Sequence, residues 1–217
     1  MKAKVYSNQY LIGEANLRFY DEGMGVLIGE FEGNQNYFEH IQRHVWEFWE
    51  TETPDYDTWL SLNFNVQLDN GYFVFPVGGY IFSDIQEIMD VPCQIDIAGV
   101  DWHIIQDYFK ISPPKPFLEG SWESLTIKQK LKLEQELKKA LGLDKGNSTN
   151  HLLTQYQFSA LCHQLDEVVF SLYSSNPELR YKYALVHLTG RDKQVQKDCP
   201  YTLFFEEFED IQQLREG

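Results

Sequence analysis

The sequence predicts an α+β protein with a mainly antiparallel sheet and one helix in its N-terminal half, then two helices and short strands in its C-terminal half. Three observations predict this class. Apolar and polar residues alternate over residues 60–68, apolar residues recur at helical spacing after residue 37, and strong helix formers fill residues 127–141. Alternation with a period of two is typical of a strand, and recurrence every three or four residues is typical of a helix.

The first elements are a hairpin and a helix. Residues 15–31, "ANLRFYDEGMGVLIGEF", read as two strands joined by a turn in which Gly23 and Gly25 can adopt positive φ. In the next segment, Asn34 or Asn36 can cap a helix. Its buried arc is predicted from one set of residues at helical spacing: Phe38, Ile41, Val45, Phe48 and Trp49.

Two further strand pairs are predicted before residue 110. The alternating run 60–68 ends in Asp69-Asn70-Gly71, a hairpin signal, and "YFVFPV" supplies the returning strand. The segment 93–106, "CQIDIAGVDWHIIQ", reads as another strand pair around Gly99, with Trp102 and His103 in its second strand.

Prolines divide the chain into two regions. Residues 110–121, "KISPPKPFLEGS", do not favour regular structure, so we predict an acidic β-rich region at 1–112, a Pro-rich connector at 113–120 and a helix-rich region at 121–217. The sequence leaves open whether the two regions pack as one domain.

The C-terminal region begins with the clearest helix of the chain. Thr126 and Gln129 have the spacing of a capping box, and Gly142 ends the run of helix formers. A second helix is predicted over 151–173, followed by a strand at 180–189 and a final strand or short helix at 201–214.

Charge limits the class of partner. The chain has 18 Lys and Arg residues and 33 Asp and Glu residues, a net charge of −15, and residues 1–112 account for −13 of it. Such a field repels nucleic acids and anionic membranes and attracts basic proteins, although it could also serve solubility alone. The first residues lack the apolar core of a signal peptide, so we expect a cytoplasmic protein.

No motif predicts a catalytic residue or a cofactor. Cys93, Cys162 and Cys199 are far apart and form no C-x-x-C pair, which favours structural thiols in a reducing compartment. The glycine pairs lack the spacing of a nucleotide-binding loop, and the sequence contains neither a G-x-S-x-G motif nor a P-loop lysine.

One pattern allows a metal site as an alternative. His40, His44 and Glu47 follow each other at spacings of four and three residues, which on a helix would place them on one face. Metalloprotease chemistry needs His-Glu-x-x-His, however, and position 41 is Ile. A pair of solvated histidines explains the same pattern.

The tryptophans and carboxylates of residues 46–59 predict a binding surface. Aromatic anchors within negative charge are typical of an interface for a cationic protein. Half-buried aromatics under a solvated loop are the alternative interpretation. The predicted partner-binding residues are Trp46, Glu47, Glu50, Glu52, Asp55, Tyr56, Asp57 and Trp59.

The segment "LRFYDEGMGVLIGEF" (17–31), followed by the Trp-rich acidic helix, resembles the immunity proteins of bacterial polymorphic and contact-dependent toxin systems. The resemblance implies a non-enzymatic inhibitor that occludes a basic toxin or effector domain, and it carries over no functional residue. Two alternatives remain open at this point. One is a metal-dependent hydrolase that uses His40, His44 and Glu47, and the other is an acidic scaffold that imitates the charge of DNA.

Overall fold

The computed structural model describes residues 1–86, 92–146, 149–188 and 200–213. It confirms the α+β class, with 29% helix and 36% strand. The chain forms two compact units, Met1–Phe117 and Leu118–Gly217, which divide within the Pro-rich segment 113–120. The predicted division into a region at 1–112 and a region at 121–217 stays a prediction. Among the described residues, no helix is both long enough and apolar enough to cross a membrane.

The first unit is built on a seven-stranded antiparallel sheet in the order β5-β4-β1-β2-β3-β7-β6. The strands are β1 (Lys2–Ser7), β2 (Tyr10–Asp21), β3 (Val26–Gly33), β4 (Phe64–Leu68), β5 (Phe73–Val74), β6 (Gly79–Ser83) and β7 (Gln94–Ala98). The predicted hairpins β2–β3 and β4–β5 are both confirmed. Gly25 and Gly71 take the positive φ values of 61° and 94° that their turns require.

The sheet curls so that its two edge strands approach one another. The hydroxyl of Tyr80 in β6 donates a hydrogen bond of 3.1 Å to the carbonyl oxygen of Val74 in β5. The rings of Phe64 and Phe82, from strands near opposite ends of the strand order, lie 4.9 Å apart between centroids. This curl encloses a core in which Val5, Phe82 and similar side chains are fully buried.

The helices of the first unit are short: α1 (Gln35–His40), α2 (Gln42–Glu50), α3 (Tyr56–Ser61) and α4 (Trp102–Ile105), which continues into a π-helical turn at Gln106–Lys110. The single predicted helix is therefore wrong in detail. It is interrupted at Ile41, and the strand expected to begin near Trp59 begins at Phe64 instead. Trp102 and His103 lie in α4, where Asp101 caps the backbone N–H of His103, and not in a strand.

The second unit has a five-stranded antiparallel sheet in the order β12-β11-β10-β9-β8. Its strands are β8 (Glu123–Ser124), β9 (Gln157–Gln164), β10 (Glu167–Tyr173), β11 (Tyr183–His187) and β12 (Tyr201–Phe205). Its helices are α5 (Ile127–Ala140) and α6 (Phe208–Gln213), with 3-10 turns at Leu143–Lys145 and Leu152–Gln155. The predicted capping box of Thr126 and Gln129 is present at the start of α5.

The predicted helix at 151–173 is wrong, because most of this segment forms the β9–β10 hairpin. Ser159–Cys162 and Val168–Phe170 are buried on both faces of the sheet. When both faces of a strand are buried, its sequence no longer alternates between apolar and polar residues. The apolar residues of this segment therefore fitted the spacing of a helix as well as that of a strand. Leu165 at φ 55° makes the tight turn between the strands.

Candidate protein-binding surface

Asp84 attaches the first two helices to the end of β6. Its Oδ2 accepts hydrogen bonds from the hydroxyl of Tyr37 (2.8 Å) and from Nε2 of Gln42 (2.9 Å), and its Oδ1 accepts from Nε1 of Trp46 (3.2 Å). Burial, more than the neighbouring Cys93 and Asp84, raises the pKa of Tyr37, so its hydroxyl stays protonated and donates. We call these four residues the Asp84 clamp.

The break at Ile41 changes which aromatic side chains are buried. Tyr37 is 1% exposed, whereas Phe38, which was predicted to belong to the buried arc, is 57% exposed. A single helical wheel cannot describe both helices, because the chain at Ile41 leaves the regular helical path with φ −116°. Trp49 is 47% exposed, and its indole donates a hydrogen bond of 2.7 Å to the carbonyl oxygen of Phe82.

Asp55 positions α3 as its N-cap. Its Oδ1 accepts from the backbone N–H of Thr58 at 3.0 Å and its Oδ2 accepts from the Thr58 hydroxyl at 2.6 Å. These bonds, the hydroxyl first, lower the pKa of Asp55, so its carboxylate is ionised at neutral pH.

α3 places Trp59 within a group of rings. The Trp59 and Phe48 centroids are 4.4 Å apart with the planes inclined by 33°, and Phe64 meets Trp59 edge-on at 5.3 Å. Trp59 is therefore partly a packing residue. The stacked pair leaves aromatic surface between α2 and α3.

Between α2 and α3 lies a groove of about 340 Å³, which we call the acidic groove. It brings together Glu47, Asp55 and Trp59 from the predicted site. The full lining is His44, Glu47, Phe48, Thr51, Thr53, Asp55, Thr58 and Trp59.

The other predicted site residues lie outside the lining of the groove. Trp46 belongs to the Asp84 clamp, and Tyr56, 62% exposed, contacts Phe48 edge-on at 5.6 Å. Glu50, Glu52 and Asp57 are exposed carboxylates of the same α2–α3 segment. Sequence reasoning missed Phe48 and Thr58 as groove residues, although the aspartate three residues before Thr58 is a capping signal that could have identified α3.

The structure does not bring His40, His44 and Glu47 together. His40 ends α1 and its Nε2 lies 3.9 Å from Glu39, whereas Nδ1 of His44 in α2 lies 3.7 Å from Glu47, longer than a hydrogen bond. Nδ1 of His44 is buried and has no hydrogen-bond partner among the described residues. Within this part of the chain, no three His, Cys, Asp or Glu side chains form a group that could hold a metal ion.

Burial suppresses the reactivity of two thiols. It raises the pKa of Cys162, which lies in β9, and it raises the pKa of Cys93 to about 12, with a further increase from the charge of Asp84. Neither thiol forms appreciable thiolate at neutral pH. Cys199 lies outside the described residues.

Comparison with known proteins gives no family model, curated protein or solved structure that matches this chain.

Proposed function

We propose that this chain is a non-enzymatic protein-binding module of the immunity type, which captures a basic toxin or effector domain through the acidic groove and thereby occludes it. One observation carries the proposal. Glu47 and Asp55 line the same groove as the stacked rings of Phe48 and Trp59. In this proposal the protein acts in the cytoplasm, where it would meet the toxin before the toxin reaches its target.

The chemistry of the groove suits a lysine or arginine side chain from the partner. A cation gains electrostatic attraction from the face of an aromatic ring, and arginine can also bond a carboxylate with two parallel N–H groups. The ionised Asp55 supplies the charge, and the threonine hydroxyls of the groove supply further acceptors.

The charge of the whole first unit supports capture of a basic partner. Met1–Phe117 contains 6 Lys and Arg residues and 18 Asp and Glu residues, a net charge of −12. A field of this sign raises the association rate of a cationic protein, whereas desolvated contacts at the centre of the interface determine how long the complex lasts. Tyr56 and Trp49 are exposed beside the groove-forming helices and can pack against the partner.

The proposal predicts that a secreted protein with a basic C-terminal domain is encoded next to this chain, and the test uses that domain, made catalytically inactive. The double variant Glu47→Gln/Asp55→Asn removes both groove charges and keeps side-chain size and the Asp55 cap acceptor. We expect its Kd, measured by calorimetry, to rise more than about tenfold, the amount that corresponds to about 1.4 kcal/mol.

The matched control is Glu30→Gln/Glu32→Gln, which changes the net charge equally at two exposed positions of β3. It should change the Kd by less than about threefold, mainly through the association rate. Equal loss in both variants, or an affinity that does not change between about 50 and about 300 mM salt, would show that the groove is not the recognition site.

A further inference from the structure

A second pocket of the first unit lies elsewhere and differs in chemistry from the acidic groove. It has a volume of about 570 Å³ and is formed by the second half of β2, the β4–β5 turn and the segment 108–116. We call it the cationic pocket. Its size is that of a small-molecule site, which typically spans about 300–1,000 Å³.

Cationic side chains concentrate at this pocket although the unit is strongly acidic. Arg18 and Lys115 line it, and Lys110 lies beside it, with its Nζ 4.8 Å from the ring centroid of Phe19 in the pocket wall. Lys115 pairs with Asp107 at 3.3 Å and Lys110 pairs with Glu22 at 3.5 Å, whereas Arg18 pairs with no carboxylate in the part of the chain that the structure describes. One carboxylate, Asp69, also lines the pocket.

Asn70 also lines the pocket and has an unpaired hydrogen-bond donor. Its Oδ1 accepts from the backbone N–H of Tyr72 at 3.0 Å and so holds the β4–β5 turn. Its Nδ2 is buried and has no hydrogen-bond partner among the described residues. Buried polar groups are nearly always paired, so this donor would gain an acceptor if the Asn70 side chain turned toward an anion in the pocket.

The remaining walls are apolar and include flat surfaces. They comprise Leu17, Phe19, Tyr108, Phe109, Pro114 and Pro116. Leu17 and Tyr108 are buried, while Phe19 and Phe109 are partly exposed. Aromatic and proline side chains of this kind pack well against a planar ring.

We infer that the cationic pocket binds a small organic anion that carries a single phosphate or carboxylate group on a planar ring system. The anionic group would lie against Arg18, Lys115 and Asn70, and the ring would pack on the aromatic walls. A polyanion does not fit this inference, because the net charge of −12 on the first unit repels an extended negative chain more strongly than one anionic group. The inference is independent of the proposed protein-binding function.

Calorimetric titration of the full chain with two matched pairs tests the inference. The pairs are adenosine monophosphate with adenosine, and indole-3-acetate with indole. We expect at least one anion to bind with a submillimolar Kd and its neutral counterpart to bind at least about tenfold more weakly. The pair that binds identifies phosphate or carboxylate as the source of the charge.

Variants then assign the binding to this pocket. Asn70→Asp keeps the acceptor for Tyr72 but replaces the donor by a negative oxygen, and Arg18→Gln removes one positive charge. Each should weaken the binding of the anion about tenfold or more. Arg43→Gln removes the same charge from α2, outside the pocket, and should change the Kd by less than about twofold.

Three results would overturn the inference. These are no binding of either anion at millimolar concentration, equal affinity for an anion and its neutral counterpart, or equal effects of Arg18→Gln and Arg43→Gln. Equal effects of the two arginine variants would mean that the affinity for the anion depends only on the net charge of the protein. Retention of the wild-type circular dichroism spectrum and denaturation midpoint in each variant separates loss of binding from loss of fold.

Discussion

Glu47 lies in α2 and Asp84 bonds to side chains of the same helix, but the two carboxylates have different roles. Asp84 accepts hydrogen bonds from three side chains of α1 and α2, whereas Glu47 is exposed in the acidic groove and pairs with Arg43 on its own helix at 2.7 Å. Removing Asp84 would leave the donors of the clamp unpaired, whereas an exposed pair such as Glu47–Arg43 contributes little to stability. Net charge therefore predicts the sign of the electrostatic field around this protein, but it does not identify which carboxylates stabilise the folded state.

The second unit contains an internal carboxylate of the same kind as Asp84. Oε1 of Glu134 in α5 accepts from Nζ of Lys130 at 2.5 Å and from the backbone N–H of Ala160 in β9 at 3.0 Å. Lys130 is 4% exposed, so this lysine lies inside the second unit and not on a solvated face of α5. Burial lowers the pKa of Lys130, and the adjacent Glu134 opposes that change.

The largest effect should come from Glu134→Ala. It removes the oxygen that accepts from the buried ammonium of Lys130 and from the backbone N–H of Ala160, so we expect the free energy of unfolding to fall by about 3 kcal/mol. Urea denaturation followed by circular dichroism measures the change. The control Glu136→Ala removes an exposed carboxylate from the same helix and should cost less than about 0.5 kcal/mol. If both variants lost the same free energy of unfolding, the Lys130–Glu134 pair would contribute no more to stability than an exposed carboxylate does.

Asp84→Ala should have the next largest effect. Tyr37 is buried and would lose its acceptor, so we expect a loss of about 2 kcal/mol and faster amide hydrogen exchange in α1 and α2. Asp84→Asn should lose less, because its amide oxygen still accepts. Glu50→Ala, an exposed change on α2, is the control. If exchange in α1 and α2 stays at the wild-type rate, the clamp does not hold these helices.

The groove carboxylates should affect stability least. Glu47→Gln/Asp55→Asn should lower the denaturation midpoint only slightly, because both side chains are exposed and the cap acceptor remains although the charge of Asp55 is lost. Asp55→Ala should lower the midpoint, since α3 then loses its cap.

The pH dependence of stability gives a second measurement of this cap. The pKa of Asp55 is lowered in the folded state, so the contribution of its carboxylate to stability is present above pH 3.8 and is lost as the pH falls through that lower pKa. The difference between Asp55→Ala and the wild type should therefore narrow in acid.

A chemical probe distinguishes Asp84 from the groove carboxylates without unfolding the protein. The pKa of Cys93 is raised to about 12 by burial and then by the charge of Asp84, so the thiolate fraction at pH 8 is on the order of one in ten thousand. Asp84→Asn should lower this pKa and speed alkylation of the Cys93 peptide, measured by mass spectrometry at several pH values. Glu47→Gln should leave the rate unchanged. A rate that responds equally to both variants would indicate a general charge effect.

Local signals in the sequence predicted the parts of the fold that local chemistry determines. The turns at Gly25 and Gly71 need positive φ, and the capping box at Thr126 satisfies backbone groups within one helical turn, so each can be recognised from a few residues. The candidate site was predicted in the same way, through the cluster of carboxylates and aromatics at 46–59. Glu47, Asp55 and Trp59 do lie together in the acidic groove.

Contacts between distant residues account for what the sequence did not predict. Asp84 lies 38 residues from Trp46, and Glu134 lies 26 residues from Ala160, so neither pairing leaves a local pattern. Burial of β9 and β10 on both faces likewise depends on the sheet that surrounds them. The roles of Trp46 and Trp59 in packing also follow from partners outside their own helices, namely Asp84 and Phe64.

The curl of the first sheet has a consequence for self-association. The Tyr80 hydroxyl donates a hydrogen bond to the carbonyl oxygen of Val74 on one outer strand, and the Trp49 indole donates one to the carbonyl oxygen of Phe82 on the other. An outer strand can pair with a further strand through its unpaired backbone N–H and C=O groups. Here a side chain already bonds to one carbonyl oxygen on each outer strand. Growth of the sheet by addition of a second molecule is thus opposed at one position on each outer strand.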